Sequence, residues 1–201
     1  NTGNVTGTST TSTNIGGIGG AAQSGTASFS KCYNTGTIIG SDKVGGCFGT
    51  FSSTETFGEQ TATNCYNIGS VVATGGDAGG VIGKNDGVQT ETHGILGTLT
   101  NCFNGGSVAG TGSVGGVAGS NLGTISYCYY NSDFCSYGGI NSVDVENSAE
   151  AMTSAEFSSG SLPTNFESSV WTAGTTQGAS GSIISDDGIM GYRVIGKYPS
   201  I

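Results

Sequence analysis

Four glycine-centred blocks constrain this chain more than anything else in it: Ile15-Gly16-Gly17-Ile18-Gly19-Gly20, Val44-Gly45-Gly46-Cys47-Phe48-Gly49, Ala78-Gly79-Gly80-Val81-Ile82-Gly83 and Val114-Gly115-Gly116-Val117-Ala118-Gly119. They begin at residues 15, 44, 78 and 114, so the pattern returns after 29, 34 and 36 residues. A period of roughly 20–50 residues belongs to solenoids, propellers and linear arrays. One such unit is too small to bury its apolar groups alone, so it has to stack on its neighbours.

Two further signatures keep the same phase. The blocks are followed by Cys32-Tyr33-Asn34, Cys65-Tyr66-Asn67 and Cys102-Phe103-Asn104, with Cys128-Tyr129-Tyr130 in the last copy. A glycine, any residue and an aliphatic come next, as Gly36-Thr37-Ile38, Gly69-Ser70-Val71 and Gly106-Ser107-Val108. In that phase Asn1-Thr2-Gly3-Asn4-Val5 aligns with Asn34-Thr35-Gly36-Thr37-Ile38, so the chain is expected to begin inside a repeat, as a piece of a longer array would.

These three-part repeats resemble the GLUG-motif family of bacterial proteins, built on Gly-Gly-Leu-Val-Gly, Asn-Cys-Tyr and Gly-x-Val. The resemblance covers the first two-thirds of the chain. It implies a large cell-surface or secreted protein, since the family includes adhesin-like proteins and the non-catalytic parts of some IgA-cleaving metallopeptidases. The name-giving block departs here to Ile-Gly, Cys-Phe, Val-Ile and Val-Ala, so the likeness lies in the three-part pattern and not in any one copy.

Composition narrows the fold. The 39 glycines have no three-residue period, which excludes collagen, and 34% hydrophobic residues with only 9% charged ones is unlike a disordered chain. Short aliphatic segments separated by Gly, Asn and Ser suit tight turns. They predict an all-β chain forming a parallel β-helix (β-solenoid), right-handed by the crossover rule, with three short strands per coil.

Coils stacked about 4.8 Å apart would place Cys32, Cys65, Cys102 and Cys128 in one column. Parallel side chains keep their Cβ atoms near that spacing, beyond the ~3.5–4.5 Å that a disulfide needs, so these thiols are expected to be free, buried and to act as small hydrophobes. Cys47 takes the place of Ile18, Val81 and Val117 and is expected in the core. Cys135 falls outside the pattern and is the cysteine expected to be paired or reactive. Asn34, Asn67 and Asn104 are expected at a corner, where Asn tolerates left-handed backbone and stacked amides can bond along the axis. Alternation puts Tyr33, Tyr66, Phe103 and Tyr129 on the opposite wall from the thiols, an outer aromatic column that either packs at a corner or binds sugars.

From glycine block to cysteine the chain takes 17, 21, 24 and 14 residues, so the second and third repeats carry insertions of 7 and 10 residues over the shortest. Insertions on one face of a solenoid are often its binding surface. Segments 50–61 and 84–98 are therefore expected to form one ledge, with Phe51, Glu55, Phe57, Glu59, Asp86, Glu91 and His93 as candidate ligand contacts. Aromatic surface beside carboxylates suits a glycan, a basic protein patch or a divalent ion.

Past Tyr130 the repeat fades. The chain divides into solenoid repeats over 1–130, the first truncated, and a C-terminal cap over 131–201 that holds 8 of the 14 acids. Thr153 and Glu156 stand at capping-box spacing and predict one short helix. Trp171, Ile183-Ile184 and Tyr192-Arg193-Val194-Ile195 read as later strands. Such a cap would blunt the last rung.

A net charge of −9 and the absence of a basic stripe disfavour nucleic acid, and no apolar run reaches the roughly 20 residues of a bilayer span. The single histidine, His93, is not part of His-Glu-x-x-His, and Gly-x-Ser-x-Gly does not occur. The expectation is a non-enzyme without cofactor, catalytic residues or bound metal: an extracellular or cell-surface structural or adhesive module of a bacterial surface protein, a stalk or adhesin fragment. Its partner would be a host or cell-surface glycan or protein. The alternatives are a self-assembling extracellular fibre subunit, associating along the solenoid axis through an open edge, and a glycan-binding β-helix. An ice-binding solenoid wants Thr-x-Thr on every rung, and Thr35-Gly36-Thr37 gives way to Ile68-Gly69-Ser70 and Gly105-Gly106-Ser107.

Overall fold

The computed structural model describes residues 1–23, 25–52, 58–86, 97–159 and 161–171. Within them the chain winds in stacked coils of five short strands each. The first coil holds β1 (Val5–Thr6), β2 (Thr13–Gly16), β3 (Gly19–Ala22), β4 (Ala27–Ser30) and β5 (Tyr33–Asn34). The second holds β6 (Ile38–Gly40), β7 (Asp42–Gly45), β8 (Phe48–Ser52), β9 (Gln60–Thr63) and β10 (Tyr66–Asn67). β11 (Val71–Ala73), β12 (Ala78–Gly79), β13 (Ile82–Asp86), β14 (Gly97–Thr100) and β15 (Phe103–Asn104) make the third, and β16 (Val108–Ala109), β17 (Val114–Gly115), β18 (Ala118–Asn121), β19 (Thr124–Ser126) and β20 (Cys128–Asn131) the fourth.

Each strand of the first three coils pairs in parallel with the strand five places further on, which gives five sheets running along the axis, β1-β6-β11-β16 and its four counterparts. The register is the one the repeats predict: Val5 faces Ile38, Ile38 faces Val71 and Val71 faces Val108. Over the described residues the chain is thus an all-β parallel solenoid with one short helix, as expected, but its coil is divided into five strands where three were expected. Two extra breaks recur. One is the glycine pair, which separates β7 from β8 and its equivalents. The other is the residue before each cysteine, whose backbone is left-handed: Lys31 (φ 55°), Asn64 (56°), Asn101 (54°) and Tyr127 (51°).

The recurring asparagines stand at a corner as expected: Asn34, Asn67 and Asn104 are the last residues of β5, β10 and β15, fully buried, and bond to the turn that follows. The left-handed backbone expected of them falls instead three residues earlier. The glycine pairs are needed for close approach and not for positive φ. A Cβ on Gly80 would meet the Gly116 carbonyl oxygen at 2.0 Å and the Asn104 Cγ at 2.3 Å.

Small apolar side chains fill the axis. Ile38, Val44, Val71, Val81, Ile82 and Leu99 are fully buried, each worth about 1.5–3 kcal/mol relative to exposure. The same positions in the first coil, Val5, Ile15, Ile18 and Phe29, are only partly buried, being covered by a described coil on one side.

Beyond β20 the chain crosses the end of the fourth coil and fills its open backbone groups. Gly116 N donates to Gly138 O (2.8 Å), Val117 N to Gly139 O (2.9 Å) and Ser142 N to Val114 O (2.7 Å). A last strand, β21 (Ala149–Met152), pairs with β20. Thr153 then makes the expected capping box with Glu156, opening α1 (Ser154–Phe157). Trp171 is not in a strand: it follows a turn in which Glu167 O accepts from both Val170 N and Trp171 N. The strands expected at 183–184 and 192–195 lie outside the described residues.

Candidate functional site

The recurring polar position builds a ladder of amides through the interior. Asn1 Nδ2 donates to Asn34 Oδ1, Asn34 Nδ2 to Asn67 Oδ1 and Asn67 Nδ2 to Asn104 Oδ1, each at 2.8 Å. Each amide also closes on its own chain two residues ahead. Asn67 Nδ2 reaches Gly69 O at 2.8 Å and Asn67 Oδ1 accepts from Gly69 N at 3.1 Å, and Asn34 and Asn104 do the same with Gly36 and Gly106. A buried amide is costly unless its hydrogen bonds are made, and here the pattern meets both demands of the side chain.

The cysteines form a second column. All six are free, and Cys47, Cys65, Cys102 and Cys128 are fully buried while Cys32, in the first coil, is half-buried. Each column thiol donates to the carbonyl two residues before it, as Cys102 Sγ does to Thr100 O at 3.4 Å. Burial pushes the Cys47 and Cys102 thiols well above the ordinary thiol range; Cys65 is raised first by its hydrogen bond with Cys102 and then by burial. Cys135, expected to be paired or reactive, is a free thiol only 1% exposed, with burial again raising it. It lies where the chain folds over the fourth coil, which shields it as fully as the column itself.

On the opposite wall the aromatic residues stack as alternation predicts. Tyr33 and Tyr66 are 5.1 Å apart between ring centres and nearly parallel, and Tyr66 and Phe103 are 5.0 Å apart. The column is not an open sugar platform, however, because the cap lies over it. Phe157 meets Phe103 at 5.6 Å, Phe166 meets Tyr129 at 5.7 Å, and Trp171 meets Phe103 at 5.7 Å and Tyr66 at 6.1 Å. Trp171 Nε1 donates to Asn64 Oδ1 at 3.0 Å, so the indole's one polar group is satisfied.

The roots of the two insertions do stand together. Ser52 pairs with Asp86 where β8 and β13 leave the stack, and Gln60 pairs with Gly97 where β9 and β14 rejoin it. The fourth coil closes this corner with Leu122 and Gly123 alone. Glu59 is exposed, and Asp86 is ion-paired to Lys84 at 3.0 Å. Glu55, Phe57, Glu91 and His93 lie outside the described residues. Phe51 does not belong to the ledge. It is 1% exposed and packs on Phe48 (5.0 Å) and Phe29 (5.9 Å), because its register neighbours Ala22 and Asn85 are small and leave room inside for a ring.

One polar element was missed in the sequence. Asn85 Nδ2 donates to Asn121 Oδ1 at 2.8 Å, a second and shorter amide ladder. Its signal was there as Gly83-Lys84-Asn85 and Gly119-Ser120-Asn121, the same offset after two successive glycine blocks. Among the described residues no group of three or more His, Cys, Asp or Glu converges to hold a metal ion, and no helix is long and apolar enough to cross a membrane.

Comparison with known proteins gives the fold a counterpart. No protein-family profile and no curated protein matches the chain. Among solved structures it is similar to a Bacteroides ovatus protein named provisionally as an immunoglobulin A1 protease, with a TM-score of 0.53 and 21% identity over 82% of this chain and 62% of that one. At that identity the likeness is one of fold, and this chain spans under two-thirds of the other's length.

Proposed function

We propose that this chain is an extracellular, non-catalytic repeat module of a bacterial surface protein, of the GLUG type, acting as a stalk or adhesin segment that holds loops in fixed register. The observation that carries this is the use to which the recurring polar residues are put: the amides of Asn34, Asn67 and Asn104 are buried and consumed in bonding coil to coil. A residue spent in this way stiffens a rod and has nothing left for chemistry. What varies from coil to coil is the corner after β8, β13 and β18, where loops of different length leave adjacent rungs, the usual place for recognition on a solenoid. The similar solved structure supports the solenoid scaffold, and at 21% identity its named activity is not carried to this chain.

The fibre alternative is weakened by the closed end of the fourth coil, where residues 138–142 and β21 occupy the edges that another copy would need. Antibodies against the chain should label intact cells of the source bacterium as strongly as permeabilised ones, and the purified chain should leave immunoglobulin A1 uncut. Labelling that requires permeabilisation, or cleavage that follows the purified chain, would overturn the reading.

A further inference from the structure

Where the third and fourth coils meet the cap, a shallow groove of ≈ 440 Å³ is lined by Lys84, Ser120, Asn121, Leu122, Ile140 and Asn141. We infer that this groove binds a neutral saccharide. Its volume lies in the range of about 300–1,000 Å³ typical of small-molecule sites. It lies at the corner after β13 and β18 that the proposed function assigns to recognition, and it rests on that reading for its place while adding the ligand class.

The chemistry of the lining decides the ligand class. A sugar hydroxyl donates and accepts at once, so a site for it needs donors and acceptors in balance, with apolar surface for the C–H face of the ring. Lys84 on the lining is paired at 3.0 Å with Asp86, which is not itself part of the lining, the two side chains 27% and 32% exposed, so a cationic donor stands at the groove with an anionic acceptor as its neighbour. An anionic ligand would have to displace Asp86 and a cationic one Lys84, whereas a hydroxyl can bridge the two. Asn121 is fixed in orientation by Asn85 Nδ2, Gly123 N and Gly123 O. Ser120 Oγ donates to Asp77 Oδ2, which leaves its lone pairs to accept. Beside them Leu122 is 65% exposed, an unusual setting for a leucine on a surface so rich in Gly, Ser and Asn, and Ile140 adjoins it.

The backbone of the cap holds the remaining polar residue of the lining in place. Asn141 and Ser142 are consecutive non-glycine residues in the left-handed region, φ 46° and 65°. They are held there by Asn141 N donating to Ala118 O (3.2 Å) and Ser142 N to Val114 O (2.7 Å). This fixes the backbone that carries the exposed Asn141 at the groove.

The test is titration of the isotope-labelled chain with maltotriose, cellotriose and mannotriose to millimolar concentration, with trigalacturonate as the anionic comparison, followed by amide chemical shifts. At least one neutral trisaccharide should give saturable shifts at Lys84, Ser120, Leu122 and Asn141. Asn141→Ala and Lys84→Met should each weaken that binding about tenfold, the loss of one hydrogen bond to a charged or oriented group; both should keep a cooperative unfolding transition, with Asn141→Ala lowering the melting temperature slightly because Ala tolerates the left-handed backbone at 141 less well than Asn. Shifts from none of the three neutral sugars, shifts confined to other residues, or tighter binding of trigalacturonate would each overturn the proposal.

Discussion

Replacing Asn67 with Ala removes four buried hydrogen bonds in one substitution. Its Nδ2 serves Gly69 O and Asn104 Oδ1, and its Oδ1 serves Gly69 N and Asn34 Nδ2. Asn104 Oδ1 keeps its bond from Gly106 N, so the groups stranded are the Gly69 N–H, the Gly69 carbonyl and one N–H of Asn34. At about 1–3 kcal/mol for each buried polar group left unpaired, and with a water able to enter the space vacated, the cost is about 3–6 kcal/mol. That is a large share of the roughly 5–15 kcal/mol of a typical domain. Equilibrium unfolding in urea should show it as a fall in midpoint of about 1–2 M at unchanged slope, for a slope near the upper end of about 1–3 kcal/mol per molar. Asn1→Ala removes matching bonds at an exposed site and should cost under about 1 kcal/mol, since water replaces them. If Asn67→Ala proved no more costly than Asn1→Ala, the ladder would not be what holds the coils together.

Thiol reagents at neutral pH should reach Cys32 before any other column cysteine and should label all six cysteines only after unfolding; fast labelling of Cys65 or Cys102 in the folded chain would contradict the burial. The thiols of Cys47, Cys65 and Cys102 are raised above their ordinary value of 9.0. The unfolded chain therefore sheds these protons first. The stability they contribute is complete below about pH 9 and is lost as pH rises further, at about 1.4 kcal/mol per pH unit for each thiol, which unfolding curves between neutral and alkaline pH would register. Gly80→Val should prevent folding or lower the melting temperature far more than Gly112→Val, because Gly80 is buried against Gly116 and Asn104 whereas Gly112 is exposed, its nearest neighbour, the Gly76 carbonyl carbon, lying 2.7 Å from an added Cβ; equal losses would show that steric approach within the stack is not the reason for the glycine pairs.

The solenoid and its register were legible because stacking forces each coil to repeat the same residue type at the same place. Val5 could be aligned with Ile38, and Cys32 with Cys65, from spacing alone. The five-strand division was not legible, since the left-handed corner is filled by Lys31, Asn64, Asn101 and Tyr127, four residues of three kinds with no shared signature. Phe51 was misplaced for a different reason. Its inward turn depends on the small Ala22 and Asn85 in neighbouring coils, contacts far away in sequence. The cover over the aromatic column was hidden in the same way: Trp171 finds Asn64 across 107 residues, and nothing near either residue announces the other.

That cover also decides how the rod would carry a load. The described residues do not stop at the fourth coil. After α1 the chain doubles back along the flank, and Trp171 is moored at the level of Tyr66 and Phe103, on strands that lie two and one places inside β20. Tension applied beyond Trp171 would therefore meet the flank first. It would have to slide a row of interlocked rings sideways, breaking several contacts together, before it could peel β21 and then β20 away one bond at a time. A clasp fastened this far from the tip shares force among three coils, and the weakest rung of the stack is thereby kept from being the first to fail.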